Sequence, residues 1–295
     1  MYSNEFIQYL TSERRLSAHT IRAYTSDIEQ FKTYLEQEFE ITDTSQALSH
    51  QIRSFAAHLI EQKTSSKSVN RKLTCLRTYY KYCLRQQYIS STPMSKVISP
   101  RNSKRLPYFI EEESMNNLFE NITFEENFTG IRNKAILETF YGTGIRLDEL
   151  RRLTIKNIDF PQRTIKVIGK RNKERIIPFG IQMESSLKKY LTILKESFEN
   201  GKQNDFLFVS IKGETLNPKS IYLIVRKYID QITTIGKRSP HILRHTFATH
   251  MLNQEAPLNA IKEMLGHSSL SSTQIYSHNS INRLKNIYKQ AHPRA

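Results

Sequence analysis

The chain has 295 residues, too long for a typical single core, and its 38% hydrophobic content excludes a disordered protein. Lys and Arg number 44 against 28 Asp and Glu, a formal net charge of +16, which points to a polyanionic partner. Two cysteines eight residues apart, Cys75 and Cys83, exclude a disulfide framework, and no run of about 18 apolar residues is present to cross a membrane. With no basic-then-apolar leader at the start, the expected location is the cytoplasm, in association with the nucleoid.

Residues 1–88 read as four amphipathic helices. Phe6, Ile7 and Leu10 make the first apolar face, and Ser17 precedes a second with Ile21, Tyr24, Ile28, Phe31 and Leu35. Ile52, Phe55, Ala56, Leu59 and Ile60 make a third, and Val69, Leu73, Leu76, Tyr79, Tyr80 and Leu84 a fourth. Such stripes pack into a small bundle. Residues 89–107 carry three prolines, several serines and four basic residues, the composition of a linker.

From 108 onward the pattern is mixed. Residues 111–122 and 130–144 look helical. IKNIDF (155–160), RTIKVIG (163–169) and RIIPF (175–179) are short β-type runs divided by turns. Helical patterns return over 181–199, 218–232 and from 241 to the end. The expected architecture is mainly α in two domains, an N-terminal helical bundle and a C-terminal α-rich domain with a small three-stranded antiparallel sheet.

Several ionisable residues stand out. Arg146 follows Gly-Thr-Gly at the start of a helical run, Lys170 lies in the turn GKRNKER (169–175), and HILRH (241–245) brings His241 and Arg244. His267 closes LGH (265–267), and Tyr276 lies nine residues further on. Metal-free phosphodiester transfer needs fixed cations for the phosphate oxygens, an acid for the leaving oxygen and a nucleophile. Arginine suits the first task because its planar fork matches phosphate and keeps its charge. Taken singly, each of these residues has a plainer reading as core, cap or solvated cation. His241 and His245 have the spacing of zinc ligands on one helix face, but Ile242 stands where HExxH has glutamate and no cysteine is near, so no metal is expected.

Taken together, Arg146, Lys170, His241-x-x-Arg244, His267 and Tyr276 resemble the Arg–Lys–His–Arg–His–Tyr signature of tyrosine recombinases, the lambda-type integrases, in both order and spacing. The likeness is nearest to the Xer branch that resolves chromosome dimers. LSAHTIRAYTSDIEQF (16–31) resembles the start of that family's core-binding domain, and GKRNKERIIPF (169–179) its β-hairpin, with Arg171 where many relatives have glycine.

The resemblance implies a core-binding domain at 1–88, a linker at 89–107 and a catalytic domain at 108–295, closing as a C-shaped clamp on DNA. It implies Tyr276 as nucleophile, Arg146 and Arg244 as phosphate clamps, Lys170 as general acid, and His241 and His267 as positioning and proton-transfer groups. The product of cleavage is then a 3′-phosphotyrosine, strand exchange passes through a Holliday junction, and no cofactor is needed. Implied partners are double-stranded DNA with a short inverted repeat (dif-like), a homo- or hetero-tetramer across two sites that can include a sister recombinase, and a septal translocase of the FtsK class. Candidate phosphate contacts are Thr20, Arg22, Lys67, Ser68, Arg71, Arg77, Lys173 and Arg175. The apolar spacing of Ile281, Leu284, Ile287 and Tyr288 suggests a last helix that docks into a neighbouring protomer. A mobile-element integrase or transposase, a type IB topoisomerase-like enzyme and a catalytically silent DNA-binding protein are the alternatives.

Overall fold

The computed structural model describes residues 2–101, 108–169, 173–198, 205–234, 236, 238–266 and 278–295. They form two compact units, Met1–Arg105 and Leu106–Ala295.

The first unit is the helical bundle expected from the stripes: α1 (Ser3–Ser12), α2 (Ala18–Phe39), α3 (Ser49–Glu61) and α4 (Ser66–Arg85). Ser17 and Ser65 cap α2 and α4, accepting the N–H groups of Thr20 and Ser68. Phe6, Leu10, Ile28, Phe31, Leu35, Ile52, Phe55, Leu73 and Tyr79 meet in one core, while Ile60 and Leu84 lie at the edges of their stripes and stay exposed. Asp27, on the apolar side of α2, is buried and pairs with Arg71 and with Lys72 (2.8 Å) on α4. Cys75 and Cys83 are buried on α4, and burial pushes both thiols up, that of Cys83 to about 11.

Part of the stretch read as a linker packs on this bundle. Met94 and Val97 join its core, Ser49 Oγ donates to the Pro93 carbonyl (2.6 Å), and Arg77 Nη2 to that of Val97 (3.0 Å). Residues 102–107 lie outside the described residues.

In the second unit α5 (Glu112–Glu120) precedes α6 (Phe128–Thr143), which is buried on nearly all sides because it runs through the middle of the core. Its N-cap Asn127 accepts the Gly130 N–H, and it ends at Gly144 with φ +58°. A Cβ at Gly144 would meet Phe247 and Leu265 at 2.6 and 2.8 Å, so glycine is required by both conformation and space. The short α7 (Leu147–Arg151) follows, and then the antiparallel sheet β1 (Ile158–Asp159), β2 (Thr164–Ile168), β3 (Glu174–Pro178), in that order. Ile155–Asn157, read as the start of a strand, is a 3-10 turn because Asn157 Oδ1 takes the Thr154 backbone N–H and hydroxyl. Helices α8 (Ile181–Ser197), α9 (Pro218–Ile229), α10 (Pro240–Asn253), α11 (Leu258–Leu265) and α12 (His278–Ala291) complete the unit.

Leu284, Tyr288 and Ala291 of α12 are buried in the core of their own unit. His292 stacks on Tyr288 and donates to the Tyr141 carbonyl (3.2 Å), and burial holds its imidazole neutral with a pKa near 3. Among the described residues no helix is long and apolar enough to cross a membrane.

Candidate active site

Three arginines from distant parts of the second unit converge on the C-terminus of α11. This helix ends at Gly266 with φ +65°, which turns the chain and leaves its last carbonyls without helical donors. Three successive carbonyls are each met by an arginine. Arg175 Nε donates to Met264 O (2.7 Å), Arg244 Nη2 to Leu265 O (2.6 Å), and Arg146 Nη2 approaches Gly266 O at 3.5 Å. The negative end of the helix dipole favours cations here.

Arg244 lies one turn into α10 and is held a second time by the Gly144 carbonyl (Nη1, 2.6 Å) at the end of α6. Two of its five donors are used in this way among the described residues. Burial, and then the fields of Arg146 and Arg175, lower its pKa to about 10, so it stays cationic at neutral pH. Arg146 is the N-cap of α7, more than a third exposed, and its backbone N–H and Nη1 both reach the Glu149 carboxylate (2.7 and 2.8 Å).

Glu149 is the counter-charge. Its two oxygens also take a bidentate grip from Arg175 (2.9 and 2.8 Å). Burial pushes the carboxyl up, but the bonds and charge of Arg175, and then those of Arg146, outweigh this and hold it at about 2. Two guanidiniums bond this one carboxylate and Arg244 lies within its field, so the three cations keep an excess positive charge suited to an anion.

The stability Glu149 adds is complete above its unfolded value near 4.5 and is lost as the pH falls toward about 2. Glu149→Gln, which breaks a buried pair, is expected to lose about 3–5 kcal/mol at neutral pH. It should then lose less than wild type on acidification through this window. Thermal melts across the pH range check this, and an equal acid-side drop in both proteins would contradict it.

His241 stands one turn before Arg244 at the exposed start of α10. Beside Arg244, a cleft of about 450 Å³ opens between α10 and α11, with His241, His245 and Lys262 in its wall. The structure thus brings Arg146, Arg244 and His241 to one region. Lys170, His267 and Tyr276 lie outside the described residues, although Gly169 and Gly266, which precede the first two, border this region.

The candidate phosphate contacts fare differently. Arg22, Lys67 and Lys173 are exposed, while Thr20 and Ser68 sit in the first turns of α2 and α4. Arg71 is tied to Asp27 and Arg77 to Val97. Arg175 is corrected: its guanidinium is buried and spent on Glu149 and Met264, leaving it no reach to a backbone phosphate. Two carboxylates were missed in the sequence. Glu149 follows Arg146 by three, the spacing of a capping box, and Asp27 falls within an apolar stripe; each spacing is a usable signal.

Residues 108–283 match the phage integrase family, and residues 4–87 match the phage integrase N-terminal SAM-like domain. The chain is 38% identical to the tyrosine recombinase XerC of Oceanobacillus iheyensis, over 100% of this chain and 97% of that one. It is 39% identical to the tyrosine recombinase XerC of Pelobacter propionicus, over 98% and 94%. Among solved structures, it resembles the XerH site-specific recombinase bound to palindromic difH substrate in a post-cleavage complex (TM-score 0.73, 24% identity, 96% of this chain and 83% of that one). It also resembles the Tn1549 transposon integrase with circular intermediate DNA (TM-score 0.68, 17% identity, 95% and 98%). At these identities the two structural likenesses speak for the fold.

Proposed function

We propose, from the premise that the chain belongs to the phage integrase family and is a tyrosine site-specific recombinase, that it cuts and rejoins double-stranded DNA at a short inverted repeat through Tyr276. The Tyr276 phenol oxygen attacks the scissile phosphorus as its proton passes to one of the imidazoles of His241 and His267. The 5′ oxygen leaves, takes a proton from Lys170, and a 3′-phosphotyrosine remains. Attack by the 5′ hydroxyl of a partner strand reverses these steps, breaks the P–O bond to tyrosine and regenerates the phenol. Each bond broken is replaced by one of like energy, so no nucleotide is consumed.

Arg146 and Arg244 clamp the non-bridging oxygens, and His241 and His267 position the phosphate and assist proton transfer. The observation that carries this reading is the convergence of Arg146 and Arg244 at the end of α11, with His241 one turn away. Residues 1–88 serve as the core-binding domain and 108–295 as the catalytic domain. Thr20, Arg22, Lys67, Ser68, Arg71, Arg77 and Lys173 supply phosphate contacts.

Four protomers hold two sites, alone or with a sister recombinase, and exchange strands through a Holliday junction. The role is resolution of chromosome dimers at a dif-like site on the nucleoid, with a septal translocase of the FtsK class as activating partner. The relatives named XerC support this finer reading.

The test offers wild-type protein a duplex with the dif-type repeat of the source chromosome, nicked beside the cleavage point so that the released fragment diffuses away. A covalent protein–DNA complex should accumulate, and digestion should locate the nucleotide on the Tyr276 peptide. Absence of the complex, or attachment to another tyrosine, would overturn the reading.

A further inference from the structure

We propose that Arg175 is a positioning residue for strand transfer, holding Arg146, Arg244 and the chain on either side of them in register through Glu149 and the end of α11. The inference rests on the chemistry proposed for Tyr276 and goes beyond it by giving a role to a residue that does not touch the DNA.

The strand register puts Arg175 where it is. In β3 the side chains of Arg175 and Ile177 face the core, opposite Val167 and Ile165 of β2. A cation forced inward needs partners, and Arg175 has three of high quality: both Glu149 oxygens and the Met264 carbonyl. Its fork is spent inside the protein.

Those partners are shared with the residues that would face the phosphate. Glu149 Oε1 takes Arg146 Nη1 as well as Arg175 Nη1, and Oε2 takes the Arg146 backbone N–H as well as Arg175 Nη2. Freeing Glu149 from Arg175 therefore loosens both the backbone and the side chain of Arg146. Met264 is the residue before Leu265, whose carbonyl holds Arg244. The bond from Arg175 ties this helix end to the sheet, and so fixes where Arg244 finds its acceptor.

Two glycines make room for the guanidinium. A Cβ at Gly266 would meet Arg175 Cδ, Nη1 and Nε at 3.1, 3.2 and 3.3 Å, and one at Gly169 would meet Glu149 Oε1 and Arg175 Nη1 at 3.3 and 3.4 Å. Gly169 directly precedes Lys170, and Gly266 directly precedes His267. One buried guanidinium thus packs against the chain neighbours of two further candidate catalytic groups, besides sharing partners with Arg146 and Arg244.

The test compares wild type, Arg175→Lys and Arg175→Met in single-turnover cleavage of the nicked duplex at saturating DNA. Each reaction is run with an ordinary scissile phosphate and with a scissile methylphosphonate, in which a methyl group replaces one charged oxygen. Lysine keeps the charge but loses the fork, so it separates geometry from long-range electrostatics. Arg175→Lys is expected to bind DNA within about threefold of wild type and to cleave about 10²-fold more slowly, the order of loss for a misaligned donor at a charged transition state. On methylphosphonate the defect should shrink at least about tenfold, because less charge develops for the arginines to stabilise. A smaller active fraction would lower the extent of cleavage of both substrates equally.

Equal defects on the two substrates, or an Arg175→Lys rate within about threefold of wild type, would overturn the proposal. So would unfolding of both variants at every assay temperature, which would assign Arg175 to the fold alone. Failure of wild type to form any adduct would instead count against the function proposed above.

Discussion

Tyr276→Phe is expected to form no covalent complex with the nicked inverted-repeat duplex, while binding it within about twofold of the wild-type affinity, because phosphate contacts rather than the nucleophile set affinity. Phenylalanine keeps the ring and removes only the attacking oxygen. The chain has 15 tyrosines, so a substitute nucleophile is the obvious objection. The buried tyrosines are poorly suited to that part. Burial pushes the phenols of Tyr79, Tyr80, Tyr141 and Tyr288 far above their ordinary range, and that of Tyr190 to about 12. A phenol that resists losing its proton and cannot reach solvent does not attack a phosphate on the surface. Denaturing gels of the trapping reaction read the result directly, and a persistent adduct in Tyr276→Phe would remove this residue from the mechanism.

Arg244→Ala carries the second large effect. The substitution removes a cation from the transition state, and it strips the donors from the Gly144 and Leu265 carbonyls at the ends of α6 and α11. The first loss should lower single-turnover cleavage by about 10²–10³-fold. The second should lower stability by about 1–3 kcal/mol for each carbonyl left buried and unpaired. The two are separable by correcting the rate for the folded fraction seen in thermal melts. Arg244→Lys retains the charge but has no planar fork to bridge two carbonyls while facing a phosphate, so it should recover little of the rate. A corrected rate for Arg244→Ala within about tenfold of wild type would sink the clamp assignment.

The helices of the first unit were legible because spacing alone marks a buried face, and Ile28, Phe31, Leu35 and Leu73 lie where that spacing puts them. Spacing fails at its margins, where Ile60 and Leu84 continue a stripe beyond the curvature of the core. IKNIDF read as a strand on its isoleucines, yet Asn157 turns the first half into a 3-10 turn by competing for the Thr154 backbone. Among the described residues, the long helical pattern after 241 is broken at 254–257 and at Gly266 by capping geometry. Arg146, His241 and Arg244 were legible as a set through their order in the chain, and the fold brings them to one region. Arg175 was misread because a charge beside a turn suggests solvent. Strand alternation with Ile177 places it inward, and the carboxylate that makes this tolerable, Glu149, sits 26 residues away in a different element. Pairings of that kind are tertiary facts, invisible until β3 and α7 are brought together.

The thiols of the first unit offer a practical opening. Only Cys75 and Cys83 occur in the chain, both are buried on α4, and both hold their protons tightly at neutral pH. Maleimides and related dyes react with exposed thiolates, so they should leave the native pair untouched. Fluorophores can therefore be attached at one introduced cysteine, for instance at the exposed Glu61, without first building a cysteine-free background.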